Sequence, residues 1–385
     1  MGWGSFSRSA VKALAAGTLH YTGLQGVLSR ASRFAVGGRR VLILSYHRVV
    51  ADFEAEARRV IPGLLVSRRT FERHLDELAH GGYDVVTLDE ALEVIAGRRQ
   101  GRRDVAVLTF DDGYHDVFEH AFPVLARRGA TATVYLATGL VGTRQRFLHD
   151  RLYHLLLLSM GGEHRSGRNV LALESMGARA ASAVDRLLST RSTGELTDLV
   201  EQLEQSVGAV NEVAPTAGEI LGWDQVRRMA SAGIDFGAHT VRHMVLTHET
   251  EGTIERELAD SKQAIERETG RPVRHFAYPN GYYDRRVVTA LVRLGYHSAV
   301  TTEDRPNHVG GDPFRLRRKT LWENFSRGPF GYSSSLTSCH LDDVFTVLSL
   351  TRPVRGERFG GPRGPSHRAE VKTPGAEEER PGASA

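Results

Sequence analysis

Short unbroken apolar runs alternate along the chain with stretches in which apolar residues recur every three or four positions. Val41-Leu42-Ile43-Leu44 is such a run. It has strand length and no polar alternation, the pattern of a strand buried on both faces, and it delivers Tyr46 and His47 at its end. Ser67 precedes an amphipathic stretch through Phe71, Leu75, Leu78 and Ala79 that stops at Gly81-Gly82, which predicts a capped helix. Residues 83–88 read as a strand, 88–96 as a helix, and 105–110 as a buried strand ending in Asp111-Asp112-Gly113. A helix through Phe118, Phe122, Leu125 and Ala126 follows, ending at Gly129, and then a strand over 130–137. This β–α alternation predicts parallel strands joined by crossover helices.

Residues 141–221 break the rhythm. Leu152, Leu155 and Leu156, then Leu187 and Leu188, then Leu196, Leu199, Val200 and Leu203 fall at helical spacing, so this stretch reads as a helical insertion. The alternation then resumes with a helix over 223–232, a strand over 234–238, a helix over 253–269, a strand over 273–278, a helix over 285–294 and a strand over 296–301. After Thr351 almost no apolar residue remains, and a disordered tail is expected. The organisation expected is a helical extension over 1–40, a catalytic domain over 41–350 carrying the insertion, and a tail over 351–385.

Composition narrows this little. A hydrophobic fraction of 41% is ample for a core, and 50 basic against 46 acidic residues give a net charge of +4, too small to argue for nucleic acid. The excess is uneven: Arg8, Lys12, Arg30, Arg33, Arg39 and Arg40 crowd the start, with no acidic residue before Asp52. Within that stretch Val11, Leu14, Thr18, Tyr21, Leu24 and Leu28 share a helical face. Such a basic amphipathic helix either packs on the domain or makes peripheral contact with an anionic membrane. The single cysteine, Cys339, permits neither an intramolecular disulfide nor a cysteine-based zinc site. Lacking a spanning run or a secretory signal pattern, the sequence is expected to be cytoplasmic or associated with the inner membrane face.

Chemistry gathers where strands end. Asp111 and Asp112 are adjacent carboxylates at the C-terminal end of a buried strand, where parallel α/β folds collect catalytic groups. Taken alone they read rather as a solvated turn. His239 and His243 follow another strand end, four apart, a spacing that lets two imidazoles meet one ion, although chance pairs are expected among 17 histidines. One carboxylate with two histidines makes an open metal site, and a second carboxylate beside it can act as a base. Phe276-Ala277-Tyr278-Pro279-Asn280-Gly281 forms a tight turn at a third strand end, with backbone N–H groups available to an oxyanion.

Together, Thr109-Phe110-Asp111-Asp112-Gly113, His239-Thr240-Val241-Arg242-His243 and Phe276 to Gly281 resemble the three leading motifs of the polysaccharide deacetylases, the NodB-homology domain of carbohydrate esterase family four. The resemblance spans residues 41–320 apart from the insertion. It implies a distorted (β/α)-barrel of about seven strands and a divalent metal ion, usually zinc. It further implies Asp111 as general base, Asp112, His239 and His243 as metal ligands, and the backbone of Asn280, with Tyr278 and Pro279 beside it, at the oxyanion or substrate. The activity implied is hydrolysis of N-acetyl groups on the amino sugars of a glycan, with release of acetate.

Two departures stand out. Ala277 occupies the place where many members carry an arginine that orients the catalytic aspartate; the Phe-Ala-Tyr-Pro pattern is similar to that of exopolysaccharide deacetylases. The late Leu-x-His motif that supplies an acid is missing, its stretch reading Pro313-Phe314-Arg315-Leu316-Arg317-Arg318. His47, at the end of the first strand, is the candidate acid in its stead. The insertion is expected to wall the substrate groove. Alternatives are hydrolysis of another small or cyclic amide on the same fold, and glycan binding without catalysis.

Overall fold

The computed structural model describes residues 14–28, 39–161, 170–207 and 220–347; the expected tail lies outside them. Eight strands form the central sheet: β1 (Val41–Tyr46), β2 (Asp84–Val85), β3 (Val105–Phe110), β4 (Thr133–Leu136), β5 (Asp235–Ala238), β6 (His275–Ala277), β7 (Ser298–Val300) and β8 (Lys319–Thr320). Their order is β8-β1-β3-β4-β5-β6-β7, every pair parallel, with β2 beside the first residues of β3. β1 and β3 are buried at every position, which is why their sequences show no alternation. Beyond β7 the chain returns alongside it: Leu316 N–H donates to Ala299 O at 3.0 Å, and Thr301 N–H to Leu316 O at 2.7 Å. It then enters β8 beside β1, so the segment 316–320 draws the curled sheet into a distorted (β/α)-barrel.

The helices begin and end at chemically legible points. α1 (Arg68–His80) opens where the Ser67 side chain accepts from Thr70 N–H. α2 (Leu88–Ile95) opens with a Thr87–Glu90 capping box. That cap cuts the strand expected over 83–88 down to β2, since Thr87 is already committed to the helix. α3 (Phe122–Arg128) follows a π-turn over Val117–Ala121 and ends at Gly129, φ 60°.

The insertion is three helices, α4 (Leu148–Gly161), α5 (Val170–Thr190) and α6 (Thr193–Val207). They enclose a core of their own built from Leu152, Tyr153, Leu155, Val184, Leu188, Leu196 and Val200. α7 (Trp223–Ser231), α8 (Glu251–Thr269) and α9 (Arg285–Arg293) complete the crossovers, and α10 (Ser334–Leu341) packs outside.

The described part of the N-terminal extension differs from the continuous helix expected. It is helical over 14–21 and 24–28, broken at Gly23, φ 75°. Ala16, Leu19 and Leu28 pack on Leu336, Cys339, Val344 and Phe345, and the Gln25 amide donates to Asp342 Oδ2 at 3.1 Å. The face turned to the domain is therefore that of Ala16 and Leu19, while Leu14, Tyr21 and Leu24 are exposed. No helix among the described residues is long and apolar enough to cross a membrane.

Candidate active site

Every candidate side chain lies at the C-terminal end of a strand: His47 after β1, Asp111 and Asp112 after β3, His239 after β5, and Tyr278, Pro279 and Asn280 after β6. The loops carrying them are held in costly backbone conformations. Five non-glycine residues among those described have positive φ, and four are here: Asp112 (73°), Thr240 (65°), His243 (56°) and Asn280 (58°). Each such residue costs roughly 1–3 kcal/mol, so the surrounding fold must impose these turns. Glycine is favoured directly after the carboxylate pair, because Gly113 has φ 77° and a Cβ there would press on the buried Leu136 side chain. At Gly281 a Cβ would lie 2.2 Å from Thr302 Oγ1.

Asp112, His239 and His243 converge. Asp112 Oδ1 lies 3.5 Å from His239 Nε2 and 3.3 Å from His243 Nε2. The three atoms lie within 4.8 Å of one another, the one such cluster among the described residues. His239 Nδ1 donates to Ala277 O at 2.7 Å, which leaves its Nε2 lone pair pointing at Asp112. Asp112 Oδ1 is buried and has no hydrogen-bond donor. Burial pushes the Asp112 carboxyl up, but the neighbouring His243 and His239 outweigh it and hold the carboxyl well below the usual range. An orphaned anionic oxygen facing two ring nitrogens is the donor set a divalent cation takes, so the residues fit the ion the motifs imply.

The loop joining the histidines is gripped from α8. The buried Glu257 accepts from Val241 N–H at 2.8 Å and Arg242 N–H at 3.0 Å through Oε2, and from Arg242 Nε at 3.0 Å through Oε1. No periodicity marks Glu257 as more than one acid on a charged helix, and sequence reasoning missed it.

The missing arginine is replaced from elsewhere. Arg318, fully buried just before β8, clamps Asp111 with two 2.7 Å contacts, Nη1 to Oδ1 and Nη2 to Oδ2. Its Nε donates to Thr301 O at 2.9 Å and its Nη1 to Thr109 Oγ1 at 3.2 Å. Burial pushes the Asp111 carboxyl up, and the Arg318 charge and hydrogen bonds reverse this, leaving it below its ordinary value. His47 Nε2 stands 3.9 Å from Asp111 Oδ2. Burial lowers the His47 pKa, against the pull of Asp111 and Asp112. A signal for Arg318 was present in the sequence. Leu316 and Arg318 are buried while Arg315 is exposed and Arg317 half-buried, a short alternation in which Leu316 marks the inward face.

The third motif divides. Asn280 and Pro279 sit in the tight turn Pro279–Gly281. The Tyr278 ring is instead a core element: fully buried, stacked 4.8 Å from Tyr283, its hydroxyl donating to Phe314 O at 3.0 Å. That occupies the hydroxyl and turns the side chain away from the role at the substrate that the motif implies.

Comparison with known proteins places the chain in a family. The polysaccharide deacetylase family model matches residues 98–299, over half of the 385-residue chain. YxkH of Bacillus subtilis (strain 168), which carries a polysaccharide deacetylase name, is 23% identical over 289 residues, 75% of this chain and 74% of that protein. Among solved structures, IcaB from Ammonifex degensii is similar in fold, with a TM-score of 0.52 and 19% identity over 79% of this chain and 98% of that one. The Streptococcus pyogenes deacetylase PplD in complex with acetate is likewise similar, with a TM-score of 0.50 and 21% identity over 76% and 95% of the two chains. With the family's model spanning β3 to β7, where the carboxylate pair, the two histidines and the Pro279–Gly281 turn all reside, this chain belongs to the polysaccharide deacetylase family and is an enzyme of that type.

Proposed function

We propose that the protein removes N-acetyl groups from amino sugars of a glycan by metal-dependent hydrolysis, releasing acetate. The observation that carries the reading is the convergence of the His239 and His243 rings on Asp112 Oδ1, a buried oxygen with no hydrogen-bond donor, with a second carboxylate, Asp111, held separately by Arg318. A divalent ion bound there, zinc first among the candidates, supplies a Lewis acid that polarises the acyl oxygen and acidifies water.

The chain's own groups divide the remaining work. Asp112 and His239 hold the ion together with His243, and the Ala277 carbonyl keeps His239 in the tautomer that can bind it. Asp111 is ionised and oriented by Arg318, so it takes a proton from the attacking water. The backbone N–H at Asn280, in the tight turn after β6, is the donor assigned to the developing oxyanion in this reading. His47, 3.9 Å from Asp111, is assigned to protonate the departing amine; burial lowers its pKa and leaves it neutral at rest, so the proton it delivers is the one Asp111 takes from water and passes on. That PplD was captured with acetate is consistent with the same product here.

The test is acetate release from N-acetylglucosamine oligomers with zinc present, for wild type, Asp111→Asn and His47→Ala. Asp111→Asn should lose ~10³-fold or more of the rate while still binding metal, since general-base steps are worth roughly 10²–10⁴. Wild type releasing no acetate from any N-acetylated glycan, but hydrolysing a small cyclic amide, would move the assignment to that chemistry on the same fold.

A further inference from the structure

His239 is anchored by a backbone carbonyl, whereas His243 makes no hydrogen bond through Nδ1 to any described residue. Its ring is held by packing: the His239 ring meets it edge to face at 4.7 Å from the barrel side, and the rest of the packing comes from the insertion. Phe147 meets it edge to face at 5.5 Å and 79°, and His149 at 5.2 Å and 61°. Phe147 and His149 stack on each other at 5.0 Å and 18°.

His149 is itself latched to the catalytic loop. Tyr114, two residues after Asp112, donates its hydroxyl to Asp150 Oδ2 at 2.8 Å. Its oxygen lies 3.0 Å from His149 Nε2, and with the phenolic hydrogen spent on Asp150, His149 must be the donor there. The Tyr114 ring lies beneath the Arg48 guanidinium at 4.9 Å, and Arg48 pairs with Asp116 at 2.6 Å. The exit of the insertion is stitched to the same loop: Leu221 N–H donates to Gly113 O at 2.9 Å, and Tyr114 bridges Ile220.

We propose that the insertion is part of the metal centre, with His149 as a positioning residue. Latched by Tyr114 and Asp150 and backed by Phe147, it fixes the orientation of the His243 imidazole. The proposal rests on reading Asp112, His239 and His243 as the metal site. A ligand without a hydrogen-bonding partner of its own depends on its neighbours for the rotamer in which its lone pair meets the ion, and loss of such support typically costs 10–100-fold in metal affinity.

The experiment uses the full chain. Co2+ affinity is measured by chelator competition, and the visible ligand-field bands of the Co2+ form are recorded, for wild type, His149→Ala, His149→Phe and Tyr114→Phe. His149→Ala should weaken Co2+ binding by about 10–100-fold and alter the bands. His149→Phe, which keeps a ring against His243 but cannot donate to Tyr114, should lose less. Tyr114→Phe, which unlatches His149 without opening a cavity, should lose less again and decides the matter if His149→Ala does not fold. Binding within twofold of wild type and unchanged bands in the folded variants would overturn the proposal and leave the metal site standing. A wild-type protein that takes up no Co2+ would overturn the metal site as well.

Discussion

The barrel and the insertion each hold one of the two imidazoles that face Asp112, and they do it by different means. On the barrel side, the neighbouring strand's main chain fixes His239 through Ala277 O at 2.7 Å. That bond follows from β5 and β6 lying side by side, so it needs no particular side chain at position 277. On the insertion side, His243 sits past the end of its strand, where no neighbouring main chain reaches its ring, and Phe147 and His149 make up the difference. Asp111 follows the insertion's logic, since its partner Arg318 is a side chain delivered from the segment that closes the barrel. Main-chain support comes with the fold, whereas side-chain support has to be brought in from wherever the chain passes, and it can move along the sequence.

The largest effect expected from breaking this scheme is at Arg318. Arg318→Met would leave Asp111 buried without its cation, and removing one partner of a buried pair costs roughly 3–5 kcal/mol, measurable by urea unfolding. A second readout follows the sign of the pKa. Burial alone pushes the Asp111 carboxyl up and Arg318 brings it down, so without Arg318 it rises. The base then takes up its proton at higher pH, and the acidic limb of the rate profile should move upward, with Arg318→Lys in between. An acidic limb that stays in place would mean that Asp111 is not the group titrating there.

The same distinction explains what the sequence could reveal. The buried runs at 41–44 and 105–110, the caps at Ser67 and Thr87 and the three strand-end motifs are local patterns, and they placed the barrel and both histidines that face Asp112. Arg318 joins Asp111 across 207 positions, and Glu257 reaches the His239–His243 loop from a helix on which it is the one buried acid. Their roles depend on which element closes against which, and only the inward parity of Leu316 hinted at either. The insertion was legible as helices, because its leucines build their own core, but its entry point decides that Phe147 and His149 meet His243. Position 83–88 shows the opposite error, a strand pattern overridden by a stronger local cap at Thr87.

A smaller effect is expected at Glu257, which separates support for the loop from support for the rings. Glu257→Gln keeps one acceptor oxygen for Val241 and Arg242 N–H but loses the charge that pairs with the Arg242 guanidinium. Metal affinity should fall by about tenfold, the lower end for an outer partner, with the His239 anchor untouched. A loss matching that of His149→Ala would place most of the control of His243 in its backbone.

The smallest effect is expected at Tyr278, and it tests where the third motif stops being chemistry and becomes structure. Its hydroxyl donates to Phe314 O at 3.0 Å, and Phe314 lies in the turn Pro313–Arg315 just ahead of Arg318. Its ring stacks on Tyr283 at 4.8 Å and meets Phe276 at 5.5 Å. Tyr278→Phe keeps both ring contacts and deletes one hydrogen bond, leaving a carbonyl unpaired, so about 1 kcal/mol of stability should be lost. Metal affinity and kcat should stay within a few-fold of wild type, because neither Asp111 nor the metal ligands lean on that hydroxyl. A large fall in kcat with stability intact would mean that the hydroxyl acts on the substrate. A fall in kcat together with a raised acidic limb would mean instead that the Phe314 turn sets the aim of Arg318, which would add a main-chain link to support that otherwise rests on side chains.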